Sequence, residues 1–536
     1  MIDPWPVARE RVPIVEVNRS CGDDVVAEAD VTEQIRICTG LRQDGDENRC
    51  AGDAKKQPDV LWGDRAHRFG ASKHSTRTAP AGCRLAGSAT KAATGLPEDQ
   101  DCLPSTITVM ERARKLNVDA VRQRVANWRW PRSVRQARAH AILTAIVLWV
   151  SAIVMLTAGG GNRSIAGPLK GADFVQYYTI GSLARTHHGA SLYNFSELHS
   201  AQVALVPESG PELYLPVYPP QAALLFAPLT VFPYRVALLI WITVTVALFA
   251  AVVYTVCRSL GWTSSDPVFV AAAAAAFPPF WSLILHGQCT IFILLGFWAG
   301  SMALERQRPF LAGIAFGLIL LKPQFAIVLA LTTLLCGEWA LIAGALVSIA
   351  IQISCVGLLL GWQVLKAYAA FLPFMLKNTD LLEPKPFQTH SLSTLTHLMP
   401  TWIGLPLWIA AVAALVLCTV KLWKSEASNH VRLGVLMLAS LLANPHLIIY
   451  DVTILVLPLI WIGVDVLERG GPGGAQRFLT MTYWLFVTLL APTAFAIKLQ
   501  VSVLLMTWMF ASSVLSVLRQ TPSYKADPFP LTAAIS

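Results

Sequence analysis

The sequence predicts an all-α, polytopic integral membrane protein, and three observations lead there. Of its 536 residues, 54% are hydrophobic and 14% charged, with a mean hydropathy of +0.52. A soluble domain carries about 25% charged residues, so an ordinary soluble enzyme, a disordered chain and a disulfide scaffold are excluded. Apolar stretches then recur from residue 140 to residue 518, at lengths suited to helices in a bilayer. Charge is also segregated: residues 1–109 carry a net charge of −3 and residues 110–536 one of +12. The excess Lys and Arg sit mostly at the edges of apolar stretches, the positive-inside pattern and not a nucleic-acid footprint.

Residues 1–109 hold no long apolar run and no sustained helical or strand period, so they read as a disordered extension or as sequence upstream of a true start at Met110. No signal peptide is expected, since a basic stretch followed by an apolar one is missing there. Residues 110–139 set nine arginines and lysines against Glu111 and Asp119, with Trp128 and Trp130 just before the first span. This is the composition of a basic cytoplasmic juxtamembrane segment. The membrane domain is expected over 140–518, with spans at 140–158, 236–257, 267–285, 289–304, 309–321, 323–337, 339–361, 402–420, 432–449, 452–467, 478–497 and 500–518. That amounts to about 11–12 transmembrane helices. A short Pro-bounded piece at 218–233 reads as a short span or a re-entrant helix, which survives in a bilayer only under cover of protein or water. With that piece re-entrant, Arg258, Glu305–Arg308, Lys421–Arg432 and Glu468–Arg477 fall inside with the basic amino end. The outer side receives the long loop 159–217, the loop 362–401, and the junctions at Gly287, Lys322 and His446–Asp451. Residues 519–536 are then a cytoplasmic tail.

The ten cysteines show no metal-ligand spacing, and those in apolar stretches behave as small hydrophobes. No P-loop, dinucleotide fingerprint or zinc-protease motif occurs, and the outer loop has no Asp-x-Asp. Neither a metal nor a dissociable cofactor is expected.

Polar residues at membrane depth stand out against this background. Asp173 follows the first span by about fifteen residues and is placed to act as a general base near the outer surface, although aspartate is equally a helix N-cap. His187-His188 suits a proton carrier or a metal ligand or, more plainly, a solvated loop. Tyr218-Pro219-Pro220 fixes an extended entry to an apolar helix. Lys322 lies between two apolar halves beside the helix-breaking Pro323. An intramembrane charge costs about 2.5–3.5 kcal/mol on insertion scales, so it either serves a phosphate or snorkels to an interface. Gly287-Gln288 and Asn444-Pro445-His446, followed by Tyr450-Asp451, are further polar clusters at span ends.

Taken in order, these pieces resemble the GT87 (DUF2029) family of the GT-C glycosyltransferase class. They are similar in particular to actinobacterial α-mannosyltransferases that use polyprenyl-phosphate mannose. The resemblance rests on Asp173-Phe174-x-x-Tyr177-Tyr178, Gly189–Tyr193, Tyr218-Pro219-Pro220, the Trp241 helix, Gly287-Gln288, Ala312-Gly313 with Lys322-Pro323-Gln324, and Pro445-His446-x-x-x-Tyr450-Asp451. It implies a GT-C bundle with a long first extracytoplasmic loop, acting at the outer face of the plasma membrane. Asp173 matches the family's catalytic base. His446 matches its carboxyl-half histidine, expected with Lys322 on the donor phosphate or leaving group. Tyr177, Tyr178, Tyr218, Gln288, Gln324, Tyr450 and Asp451 are further candidate site residues. The implied donor is a polyprenyl-phosphate sugar, mannose or arabinofuranose, and the acceptor a cell-envelope glycolipid or glycan. A transporter or flippase of a lipid-linked sugar is the competing reading, since broken helices and a mid-membrane lysine also suit transport.

Overall fold

The computed structural model describes residues 132–186, 189–260, 266–378, 386–469, 471–490 and 498–519. The extension 1–109, most of the basic segment 110–139, His187-His188 and the tail beyond Arg519 lie outside these residues.

Among the described residues the chain is an all-helical bundle, with one isolated β-bridge, Arg163 to Leu169. Its helices are α1 Arg132–Thr157, α2 Phe174–Arg185, α3 Phe195–Leu205, α4 Gln221–Phe226, α5 Tyr234–Ser259, α6 Pro267–Ala275, α7 Pro278–His286, α8 Ile291–Glu305 and α9 Pro309–Gly317. Then follow α10 Ile327–Cys336, α11 Trp339–Leu360, α12 Trp362–Lys377, α13 Ser393–Thr396, α14 Thr401–Trp423, α15 Asn429–Ala443, α16 Val456–Arg469, α17 Gly471–Leu490 and α18 Val501–Leu518.

Among the described residues six helical stretches are long and apolar enough to cross a bilayer, α16 among them only when run on from the 3-10 turn Ile449–Leu455, and α6 with α7, bent by 50° at their break, form either a seventh, broken span or a re-entrant pair. The expected spans 289–304, 309–321, 323–337 and 432–449 are instead helices of 10–17 residues. At 1.5 Å per residue, fifteen residues reach about 22 Å, short of a roughly 30 Å hydrocarbon core. The physical reason is where they stop: α8, α9, α10 and α15 each begin or end at a polar turn that the bundle buries. The segment expected to be re-entrant is α4 with its 3-10 extension Ala227–Val231, an apolar helix too short to cross. It packs on α2 through buried Ala222, Ala223 and Phe226.

Local chemistry explains the breaks. Pro278 and Pro279 cannot extend α6, and the Ala275 carbonyl at that break accepts from Trp149 Nε1 of α1 at 3.1 Å. Trp281 Nε1 returns the contact to Leu148 O at 2.7 Å. Elsewhere in the bundle α9 lies backbone to backbone against α11. A Cβ added at Gly313 would stand 2.0 Å from Leu341 O, and one at Gly344 would stand 2.0 Å from Phe310 O. Such small-residue seams let helices approach where lipid offers no hydrophobic drive to pack.

The bundle has two distinct polar ends. At one, Arg138 pairs with Asp266 at 3.4 Å, His430 approaches Glu305 at 3.0 Å, and Trp423 Nε1 donates to Glu338 at 2.9 Å. These are segments that the charge pattern puts together on the inner side. Helices α8 and α10 run from there to the opposite end, where Gln288, Lys322 and Asp451 meet. The two loops expected on the outer side also touch each other. Tyr193 packs on Tyr368 and Phe371 at 5.4 and 5.6 Å between ring centroids, and Phe195 packs on Phe374 at 5.6 Å.

Candidate active site

Asp173 reaches the bundle because two glycines let its loop lie on a helix end. Helix α7 terminates at Gly287 in the left-handed conformation, φ +67°. The carbonyls freed there, Leu285 O and His286 O, accept from the backbone N–H groups of Gly171 (3.2 Å) and Asp173 (3.0 Å), and Gly287 O accepts from Trp241 Nε1 (2.9 Å). Gly171 is also left-handed, φ +66°. A Cβ at Gly287 would stand 2.7 Å from Phe174 Cβ, and one at Gly171 would stand 2.6 Å from Leu238 Cδ1. The loop before Asp173 is braced in turn. Glu208 accepts from the Asn162 backbone at 3.1 Å and from its amide at 2.9 Å, and Arg163 donates to Glu208 O at 2.6 Å. The backbone N–H groups of Glu208 itself and of Asn162 hold the Glu208 carboxyl below the usual carboxylate range. Tyr234 closes the loop from α5, donating to Lys170 O at 2.7 Å.

Asp173 occupies the N-cap position of α2, yet its side chain makes no capping bond. Its Oδ2 accepts instead from Gln288 Nε2 at 2.7 Å. The carboxylate is half-buried, while Gln288 is 1% exposed. Behind it, Gln288 Oε1 accepts from Tyr177 OH at 2.7 Å, Tyr218 OH at 3.0 Å, Lys322 Nζ at 3.3 Å and the Cys289 N–H at 3.2 Å. Lys322 Nζ then donates to Asp451 Oδ1 at 2.5 Å and to Thr290 Oγ1 at 3.0 Å. The Thr290 hydroxyl also donates to Asp451 Oδ1. The lysine is 3% exposed and the aspartate 1%. Nζ stands 5.5 Å from the Tyr218 ring centroid and 5.2 Å from that of Tyr450, near enough for cation–π attraction.

Seven of the ten candidate residues therefore meet in one network: Asp173, Tyr177, Tyr218, Gln288, Lys322, Tyr450 and Asp451. Tyr178 and Gln324 do not join it. Tyr178 turns away and donates to Phe232 O at 2.8 Å. Gln324 is half-buried and makes no side-chain hydrogen bond among the described residues. His446 is half-buried on the turn that leads to Tyr450, its backbone N–H held by Asn444 Oδ1 at 2.9 Å.

Lys322 does not snorkel: it stays buried, and Asp451 balances its ammonium inside the bundle. Thr290 was not anticipated, although it directly follows the Gly287-Gln288-Cys289 run. Nor was His390 in the loop 362–401, which is 4% exposed, bonds Ser502 Oγ through Nδ1 at 2.8 Å, and is pushed down by burial to about 4. Tyr214 and Tyr234 lie within electrostatic reach of Asp173. Burial pushes the Tyr214 phenol up, and Glu212 adds to it.

The profile of glycosyltransferase family 87 matches residues 217–445. That range contains Tyr218, Gln288 and Lys322, and leaves Asp173 before it and Asp451 after it. The polyprenol-phosphate-mannose-dependent alpha-(1-2)-phosphatidylinositol pentamannoside mannosyltransferase of Mycobacterium tuberculosis (strain CDC 1551 / Oshkosh) is 29% identical over 189 residues, 34% of this chain. The chain covers 39% of that relative's length. No solved structure matches the chain. Residues 217–445 thus carry the pattern of glycosyltransferase family 87, the family that the motifs resemble.

Proposed function

We propose that the protein is a membrane glycosyltransferase that moves a sugar from a polyprenyl-phosphate donor to a cell-envelope glycolipid or glycan. Mannose is the proposed sugar, with arabinofuranose as the competing donor. The observation that carries the reading is Asp173: a half-buried carboxylate at a helix start whose side chain caps nothing and is held at the mouth of a buried polar network. A carboxylate so held accepts a proton from a hydroxyl without needing a large change in its acidity. The acceptor oxygen attacks C1 of the sugar, the C1–oxygen bond to phosphate breaks with its electrons on the phosphate, and the acceptor proton passes to Asp173. The result is a single inverting displacement. The leaving group is a phosphate, so no strong general acid is required, unlike hydrolases that flank the bond with two carboxylates.

In this scheme His446 faces the departing phosphate. Lys322, whose charge Asp451 balances, anchors Gln288 behind the base. The active end faces the extracytoplasmic side of the plasma membrane, the side that the positive-inside pattern gives to loops 159–217 and 362–401. The family match supports glycosyl transfer, and the mannosyltransferase relative supports a polyprenyl-phosphate-sugar donor.

The test is sugar transfer in membranes containing the full chain, with radiolabelled polyprenyl-phosphate mannose as donor and lipid extract as acceptor pool. Label is expected in a new lipid or glycan product above membranes lacking the chain. Absence of transfer from both mannose and arabinofuranose donors would overturn the reading in favour of transport.

A further inference from the structure

Gln288 is the joint between two parts of the network, and the chemistry of its neighbours settles which way its amide points. Two of the four groups on Oε1 can only donate. The Lys322 ammonium has no lone pair to offer, and the Cys289 N–H is a backbone donor. A flipped amide would set NH₂ against both. The carbonyl oxygen therefore faces inward and the NH₂ outward, where Asp173 Oδ2 receives it at 2.7 Å.

We infer that Gln288 is a positioning residue for the base: the Lys322–Asp451 pair locks the Gln288 amide, and the amide locks the Asp173 carboxylate with Oδ1 turned to the acceptor. This rests on the reading of Asp173 as base. It also gives the buried pair a task that a purely structural ion pair lacks. Each link is a directed bond from a group with little freedom. Lys322 is held by a carboxylate and a hydroxyl, Gln288 by four donors, and Asp173 by the amide and by its own backbone bond to His286 O. A carboxylate held in one orientation keeps its proton-accepting oxygen within reach of the acceptor, and misplacement by about 1 Å can cost about 100-fold in rate.

The inference is tested by the pH dependence of transfer. The groups facing Asp173 are the Gln288 amide, the phenols of Tyr214 and Tyr234, and the α7 end carrying His286, with Lys322 and Asp451 behind Gln288. Gln288→Glu keeps the inner oxygen and all four of its donors while setting a second carboxylate against Asp173. Like charges at that distance hold a proton more tightly. The acid limb of kcat/KM is therefore expected to move to higher pH by about one pH unit or more. Gln288→Met removes the amide altogether. It is expected to lower kcat by about ten- to a hundredfold with donor KM unchanged, and to move the limb in the same direction by less. Should Gln288→Met not fold, the near-isosteric Gln288→Glu carries the test alone. Folded variants that keep the wild-type limb and kcat overturn the inference. Asp173→Asn, run alongside, separates the two failures: if it keeps transfer, the base is misassigned; if it loses transfer while both Gln288 variants behave as wild type, only the positioning role falls.

Discussion

Replacing Lys322 by methionine probes the buried polar network most sharply. The substitution keeps the length of the side chain and most of its apolar contact, and deletes the ammonium. Asp451 Oδ1 then keeps the Thr290 hydroxyl alone, at a residue 1% exposed. Removing one partner of a buried pair costs about 3–5 kcal/mol, because the other charge is left without compensation. Several degrees of melting temperature in detergent should be lost. The companion variant Asp451→Leu should lose a similar amount. The double variant Lys322→Met with Asp451→Leu removes both charges, and a buried pair replaced by apolar residues is often neutral in stability. It should therefore recover most of the loss, with a coupling energy larger than either single loss. The assay is thermal unfolding of purified protein followed by intrinsic fluorescence, since Trp241 and Trp461 are buried in the core. Additive losses, with the double variant worse than either single one, would refute the claim that the two charges compensate each other inside the bundle.

Other substitutions test the remaining links. Gly287→Ala should slow transfer more than it lowers stability. The left-handed backbone costs a substituted residue roughly 1–2 kcal/mol, and the added methyl presses on Phe174, the residue after Asp173; unchanged melting and transfer would show that this turn does not set the base. His390 makes stability depend on pH. Its folded-state value is about 4 against about 6.5 when unfolded, so between these values only the unfolded chain takes up the proton. Stability is full above about pH 6.5 and falls as pH drops, by at most about 3 kcal/mol near pH 4. Melting curves of His390→Gln should lose that part of the acid sensitivity, and an identical pH dependence in both proteins would count against it.

Much of the fold was legible because hydropathy and charge act locally. Arg138, Glu305 and Lys421 mark span ends by composition alone, and the shortness of 218–233 followed from its prolines. The length of the inner helices was harder to read. The polar turns at Gln288 and Lys322 are single interruptions in apolar sequence, and only packing shows that the chain reverses there at depth.

The site was legible as anomalies and not as pairings. Lys322, Asp451 and Gln288 stood out because each is costly in lipid. Nothing local says that Lys322 finds Asp451 across 129 residues, or that Gln288 finds Asp173 across 115. That choice of partner decides whether Lys322 offers its charge to a ligand or to a carboxylate. For Asp173, a helix-cap role and a catalytic role are alike in sequence. The direction of its side chain, toward Gln288 and not its own helix, sets aside the capping role.

Asp173→Asn in the membrane transfer assay tests the central claim most directly. The change removes the proton-accepting charge and leaves shape and burial almost untouched, so stability should hold within about 0.5 kcal/mol of wild type. The account predicts folded, monodisperse protein whose sugar transfer falls by about a hundredfold or more. A folded Asp173→Asn variant that transfers at the wild-type rate would contradict it.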